Sequence, residues 1–202
     1  MPDAKTQPPP TGPAPLPARI GRRLEQLLAT RGITIAELSQ RSGIATSVLT
    51  QITQGAWQPT IDVAWKIANA IDVRFGALLP RQHPGDFVLT RAEHNPVFTS
   101  PDGRFTSQPL SPYSCDQPFE FYRAELAPGA AHAFAAHPPR TIEHLTVHAG
   151  TVEITIGRES PQVLGPGDWL RYLADVPHRY RALGDDPVLL YIVLSYAGLD
   201  VE

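Results

Sequence analysis

The sequence predicts a multidomain chain, all-α in front and all-β behind. Three observations carry that prediction: a helical period from Ala18 to Leu79, a period of two after Pro80, and a charge balance that changes sign between the halves. Residues 17–80 hold seven Arg or Lys against four Asp or Glu, net +3, while residues 81–202 hold nine Arg against fifteen Asp or Glu, net −6. Such an asymmetry suggests two units with different partners. At −3 for 202 residues, the chain is no basic glove for nucleic acid along its whole length. Apolar residues make up 42%, enough to build cores, which excludes wholesale disorder.

Met1 to Pro17 contains seven of the 22 prolines and no apolar stretch. Proline removes a donor and fixes φ, so residues 1–17 predict a disordered tail and no signal peptide. The helical domain follows over 18–80. Arg19–Thr30 sets Leu24, Leu27 and Leu28 on one face, and Gly32 ends that helix. Thr34 and Glu37 form a capping box for a second helix, closed by Gly43. A third runs from Thr46 to about Gln54, with Leu49 and Ile52 inward. Thr60 caps a fourth, with Val63, Ile67 and Ile71 spaced for the core. Arg74–Leu79 adds a last turn or two, giving about five helices.

Arg81–Gly85 reads as the linker, and 86–202 as the second domain. Thr151–Ile156 alternates strictly, and Glu120–Glu125, His144–Val147 and Trp169–Leu173 do so in part. The apolar run Val188–Leu194 predicts a strand buried on both faces. Many short strands, with Gly and Pro between them, indicate a sandwich or barrel. Leu145, Val147, Ile154, Ile156, Trp169, Tyr172 and Tyr191 are its core candidates, and His132 reads as an exposed loop residue. No apolar run approaches the ~20 residues of a membrane span. A single cysteine, Cys115, excludes an intrachain disulfide and points to the cytoplasm.

Two helices joined at Gly43-Ile44-Ala45 are the geometry in which one helix braces on the DNA backbone and the next enters the major groove. Thr34-Ile35-Ala36-Glu37-Leu38-Ser39, Gly43-Ile44, Leu49-Thr50-Gln51-Ile52 with Gly55, Gln58-Pro59-Thr60 and Ala68-Ile71 together resemble the phage-repressor-like (XRE) helix-turn-helix family. The resemblance implies operator binding. Thr46 and Ser47 stand at the start of the reading helix, with Thr50 and Gln51 one turn on. Hydroxyls can meet either base-edge donors or acceptors, and Gln can grip adenine bidentately. Gln54 looks placed for phosphate, and Arg22, Arg23 and Arg41 for charge-based backbone contacts. Ala45 replaces the usual cap, and Asp72 stands where Gly is common. Thr46–Gln54 carries no charge, so tight binding calls for a homodimer.

Pro118–Tyr196 resembles the cupin family, which implies a double-stranded β-helix, or jelly-roll barrel. His137 and Glu143, with Gly150 seven residues on, fit its first motif; Gly167 and His178 fit its second. Pro139 stands at the second histidine position, and Leu173, Asp175 and Ala182 replace the Pro, Gly and Asn. The set that remains, His137, Glu143 and His178, implies a divalent metal, zinc or similar, with an open position. Arg140 is a candidate for pairing a ligand carboxylate, and Tyr172 and Tyr180 for lining the pocket. His144 and His148 have the opposite strand parity to Glu143 and should point outward.

Together the two resemblances imply a non-enzymatic transcriptional regulator whose barrel senses a small polar metabolite, such as an amino acid or a relative. Its coupling to DNA is expected to run through the linker Arg81–Gly85. Two alternatives stand beside it: a metal-dependent cupin isomerase or dioxygenase, and a cupin that only dimerises the DNA-binding domain.

Overall fold

The computed structural model describes residues 14–79, 89–111 and 118–196. The expected linker, Cys115 and most of the proline-rich tail lie outside the described residues.

The helical domain comprises α1 (Leu16–Arg31), α2 (Ile35–Ser42), α3 (Thr46–Thr53) and α4 (Ile61–Ala70). Leu16 and Pro17, expected in the tail, instead open α1. A proline there gives up an N–H that would have no helical partner anyway. The capping box forms: Thr34 Oγ1 accepts from the Glu37 N–H at 3.2 Å, and Glu37 Oε2 accepts from the Thr34 N–H at 2.8 Å. Ala45 gives α3 no side-chain cap, while Thr60 caps α4. A Cβ on Gly21 would stand 2.4 Å from the carbonyl oxygens of Ile52 and Thr53, so that glycine lets α1 lie directly on the end of α3. In place of a fifth α-helix there is a 3-10 turn at Phe75–Leu78. Asp72 takes the left-handed conformation before it (φ 53°), in the position where the family favours glycine.

Ten strands make the second domain: β1 (Phe98–Thr99), β2 (Phe105–Pro109), β3 (Phe119–Leu126), β4 (Ala131–Phe134), β5 (Thr141–Ala149), β6 (Thr151–Ile156), β7 (Gln162–Leu164), β8 (Trp169–Leu173), β9 (His178–Leu183) and β10 (Val188–Tyr196). Two antiparallel sheets, ordered β1-β2-β3-β10-β5-β8 and β4-β9-β6-β7, face each other as a jelly roll.

Three expectations need correction. β10 is central but not buried on both faces: Val188, Leu190, Ile192, Leu194 and Tyr196 point inward, while Leu189, Tyr191 and Val193 are half-exposed. A one-sided antiparallel sheet alternates even where the outer residues happen to be apolar. Trp169 is 62% exposed rather than core, because it shares parity with the outward Arg171 and Leu173 on the edge strand β8. His132 is buried on β4, stacked on Phe105 with ring centroids 4.4 Å apart. The buried side chains form one continuous cluster from Ile20 to Tyr196, crossing both domains.

Candidate functional site

On the helical domain, Arg41, Thr46, Ser47, Thr50, Gln51 and Gln54 are all exposed, as a base-reading surface requires. Leu49 and Ile52 hold the opposite face of α3 in the core. The Thr50 hydroxyl donates to the Thr46 carbonyl at 2.8 Å, which leaves its oxygen free to accept. Arg23 is committed elsewhere: its Nε donates to the Ala77 carbonyl at 2.9 Å and ties α1 to the 3-10 turn.

Inside the barrel, His137, Glu143 and His178 converge. Glu143 lies on the inward face of β5, His178 opens β9, and His137 sits in the β4–β5 loop, where its N–H donates to the Ala174 carbonyl at 2.9 Å. All three are buried. Glu143 Oε2 lies 3.5 Å from His137 Nε2 and 3.7 Å from His178 Nε2. The His178 Nδ1–H donates to the Val176 carbonyl at 3.0 Å. In the neutral ring that bond places the proton on Nδ1 and turns the Nε2 lone pair toward the Glu143 carboxylate. Burial, the strongest influence, holds His178 below the ordinary imidazole range, against the pull of Glu143.

A buried lone pair facing a carboxylate oxygen is repulsive unless a proton or a metal cation lies between them. His178 Nε2 and His137 Nδ1 are buried without a hydrogen-bond partner. Two donors each about 2.1 Å from one ion at a tetrahedral angle would stand about 3.4 Å apart, close to the two carboxylate–imidazole separations here, and all three donor atoms lie within 4.8 Å of one another. The donor set therefore fits a divalent metal. Two imidazoles and a carboxylate suit zinc, iron, nickel or manganese.

A relay backs the carboxylate. Tyr172 Oη donates to Tyr180 Oη at 2.9 Å, and Tyr180 donates to Glu143 Oε1. Burial, and then Glu143, pushes the Tyr172 hydroxyl far above its ordinary range, so it remains a donor. Tyr180 lines the cavity, whereas Tyr172 stands behind it. Arg140 does not join them. Its side chain is exposed, its φ is 64°, and its N–H donates to Asp175 at 3.0 Å.

The cavity beside His137 and Glu143 leaves about 30 Å3 for the centres of water-sized molecules. Much of its wall is apolar, including Phe105, Phe134, Ile192 and Leu194, with Ser107 among them. Ile61, Trp65 and Phe75 of the helical domain close it. Trp65 stacks on His137 with centroids 4.1 Å apart. The sequence reading missed these groups and His132. Trp65 carried a signal, since it follows Ile61 by one turn yet is not needed by the helical core that Ala64, Ile67 and Ala68 fill.

A helix-turn-helix unit with an exposed, uncharged reading helix, joined to a jelly roll with a buried His-Glu-His cluster, defines a DNA-binding protein with a cupin barrel. Residues 23–82 match the profile of the Cro/C1-type HTH DNA-binding domain, and residues 122–194 that of the Cupin_2 domain. The chain is 30% identical over 174 residues to the HTH-type transcriptional regulator SutR of Escherichia coli (strain K12), covering 86% of this chain and 92% of that one. It therefore belongs to the Cro/C1-type (XRE) helix-turn-helix transcriptional regulators that carry a cupin domain. In fold it is similar to an HTH_3 family transcriptional regulator from Vibrio cholerae, with a TM-score of 0.69 and 24% identity over 90% of this chain and 97% of that one. Among the described residues no helix is long and apolar enough to cross a membrane.

Proposed function

We propose that the cupin is the sensor of this regulator. His137, Glu143 and His178 hold a divalent metal, zinc or a similar ion, and the cavity above them takes a small effector. The observation that supports this best is the His178 Nε2 lone pair, held by its tautomer against a buried carboxylate. When bound, the metal would supply a Lewis-acidic position for one donor atom of the effector. The chain's own residues do the rest. Tyr180 and Tyr172 orient the carboxylate, and the apolar wall excludes water. With Arg140 outside the cavity, the effector needs no carboxylate for an arginine; it has one coordinating head and a compact apolar body, such as an apolar amino acid. Among the described residues that line the cavity, Ser107, Tyr122 and Tyr180 are the polar ones beyond His137 and Glu143, which suits holding a ligand. The protein acts on operator DNA as a homodimer in the cytoplasm, because a reading helix without charge makes too few contacts alone.

Metal analysis of the purified protein, with a thermal-shift screen of small metabolites, tests the sensor. Stoichiometric metal and a stabilising metabolite that is recovered unchanged are expected; a metabolite recovered as product would make the cupin an enzyme. On the DNA side, Gln51→Ala is expected to cost roughly 1–3 kcal/mol of operator affinity and to relax one base position. Footprints that are uniform along any DNA sequence would remove the operator reading.

A further inference from the structure

The wall of the cavity that belongs to the helical domain is not incidental. One face of α4 is applied to the barrel mouth. Asp62 Oδ1 lies 3.3 Å from His132 Nε2, Trp65 covers the His137 ring, and Asn69 Nδ2 donates to the Ala136 carbonyl at 3.1 Å. Positions 61, 62, 65 and 69 fall on one side of a helix, while Ala64, Ile67 and Ala68 on the other are buried in the helical core. The 3-10 turn extends the seam: Phe75 packs 5.0 Å from Trp65 and 5.0 Å from Phe98, and the Gly76 N–H donates to Glu120 at 2.7 Å. The triad's histidine and α4, which packs on α2 of the helix-turn-helix, therefore share one aromatic contact.

We infer that this cavity is a composite site, walled by both domains, in which Trp65 and Ile61 report the occupant to the DNA-binding domain. The inference rests on the reading that the cavity is the sensor's ligand site. The ligand class follows from the walls: a compact aromatic or branched body against Phe105, Phe134 and Trp65, and one coordinating head toward His137. A ligand moves an equilibrium only through its different affinity for two arrangements. Here the two arrangements are helical domain seated and helical domain lifted, since an occupant larger than the present space meets α4 before any other movable wall. Strands cannot yield without breaking their ladders, whereas α4 is held at the mouth by side-chain contacts. Seating also fixes where the two reading helices of a dimer stand, so lifting lowers operator affinity.

A permanent occupant tests this without knowledge of the effector. Ser107→Leu and Leu194→Phe each add bulk to the cavity from a different strand, so that one overpacked strand does not decide the result. The DNA probe is a duplex selected by the wild-type protein from a random-sequence pool. Each filled variant is expected to bind it at least ten-fold more weakly. In a Trp57→Phe, Trp169→Phe background, Trp65 emission is expected to shift to the red. Combined with Trp65→Ala, which removes the wall that collides, the same filling should change DNA affinity less than two-fold. Wild-type affinity and emission in the filled proteins overturns the inference, and so does an equal loss with and without Trp65. Zinc titration of the unmodified chain judges the metal separately. If zinc does not bind while filling still weakens DNA binding through Trp65, the metal reading fails and the composite site stands. If zinc binds and filling leaves DNA affinity unchanged, the reverse holds.

Discussion

Two carboxylates are buried in one row of the same sheet. Leu194 of β10 pairs with Glu120 of β3 on one side and with Glu143 of β5 on the other, and all three point inward. Their backbone positions are thus about 10 Å apart, two strand spacings. Glu120 is fully served by this chain: Tyr122 and Tyr196 each donate to Oε2 at 2.6 Å, and the Gly76 N–H donates to Oε1. Arg74, whose guanidinium lies 4.9 Å over the Tyr196 ring, adds an attractive charge. Glu143 has one hydroxyl donor, and its other oxygen faces two imidazoles at 3.5 and 3.7 Å. Equal burial on equivalent strands produces opposite roles. A carboxylate whose partners all come from within clamps the structure, and one whose second oxygen faces two imidazoles is the candidate to take up a cation in the function proposed above.

The largest test breaks the clamp. Glu120→Ala leaves two buried tyrosine hydroxyls and a buried N–H unpaired, and should cost about 3–5 kcal/mol in urea unfolding, since one partner of a buried charged network is gone. The same experiment on Glu143→Gln, a near-isostere, should show a far smaller loss. Its zinc affinity should instead fall by more than the ~10–100-fold typical of losing an outer-shell partner. Comparable destabilisation in both variants would erase the distinction drawn here.

Tyr180→Phe sharpens the contrast on the Glu143 side. It removes the donor that orients Glu143, so zinc binding, followed by calorimetry, should weaken roughly 10–100-fold while the fold persists. The smallest effect is a pH slope. Burial pushes the Glu120 carboxyl above its ordinary range, against its three hydrogen bonds and Arg74. Above the unfolded value, the unfolded chain gives up a proton that the folded chain still holds, so stability falls as pH rises until the folded value is passed. Urea midpoints across mildly acidic pH should show that fall in wild type and a flatter line in Glu120→Gln.

Much of the architecture was legible because local physics dictates it. Thr34 with Glu37, Gly32 and Gly43 mark helix ends by hydrogen-bond need, and Thr151–Ile156 and Trp169–Leu173 coincide with strands. The spacing of two motifs brought His137, Glu143 and His178 forward, and they meet. The strands β1, β2, β4, β7 and β9 were not marked out, being short or polar. What failed depends on contacts between distant segments. His132 reads as exposed until Phe105 and Asp62 come to meet it. Arg140 sits three residues from Glu143 and still points away, because its loop turns through a left-handed residue. Glu120 shares parity with Tyr122 and Leu126, which marks it as inward; that it binds the other domain at Gly76 no strand pattern can say.

The seam between the domains also has a practical meaning. A barrel cut from the chain at the linker would keep its triad but lose Ile61, Trp65 and Phe75, leaving Phe98, Phe105 and Tyr122 without the cover they have here. Water would enter where Trp65 covers His137, and the Glu120 clamp would be missing its Gly76 donor. Such a fragment differs from the intact protein at the cavity itself. Its mouth would be wider and wetter, and under the proposed sensor function compounds selected on it would be ranked without the wall that α4 supplies in the intact protein.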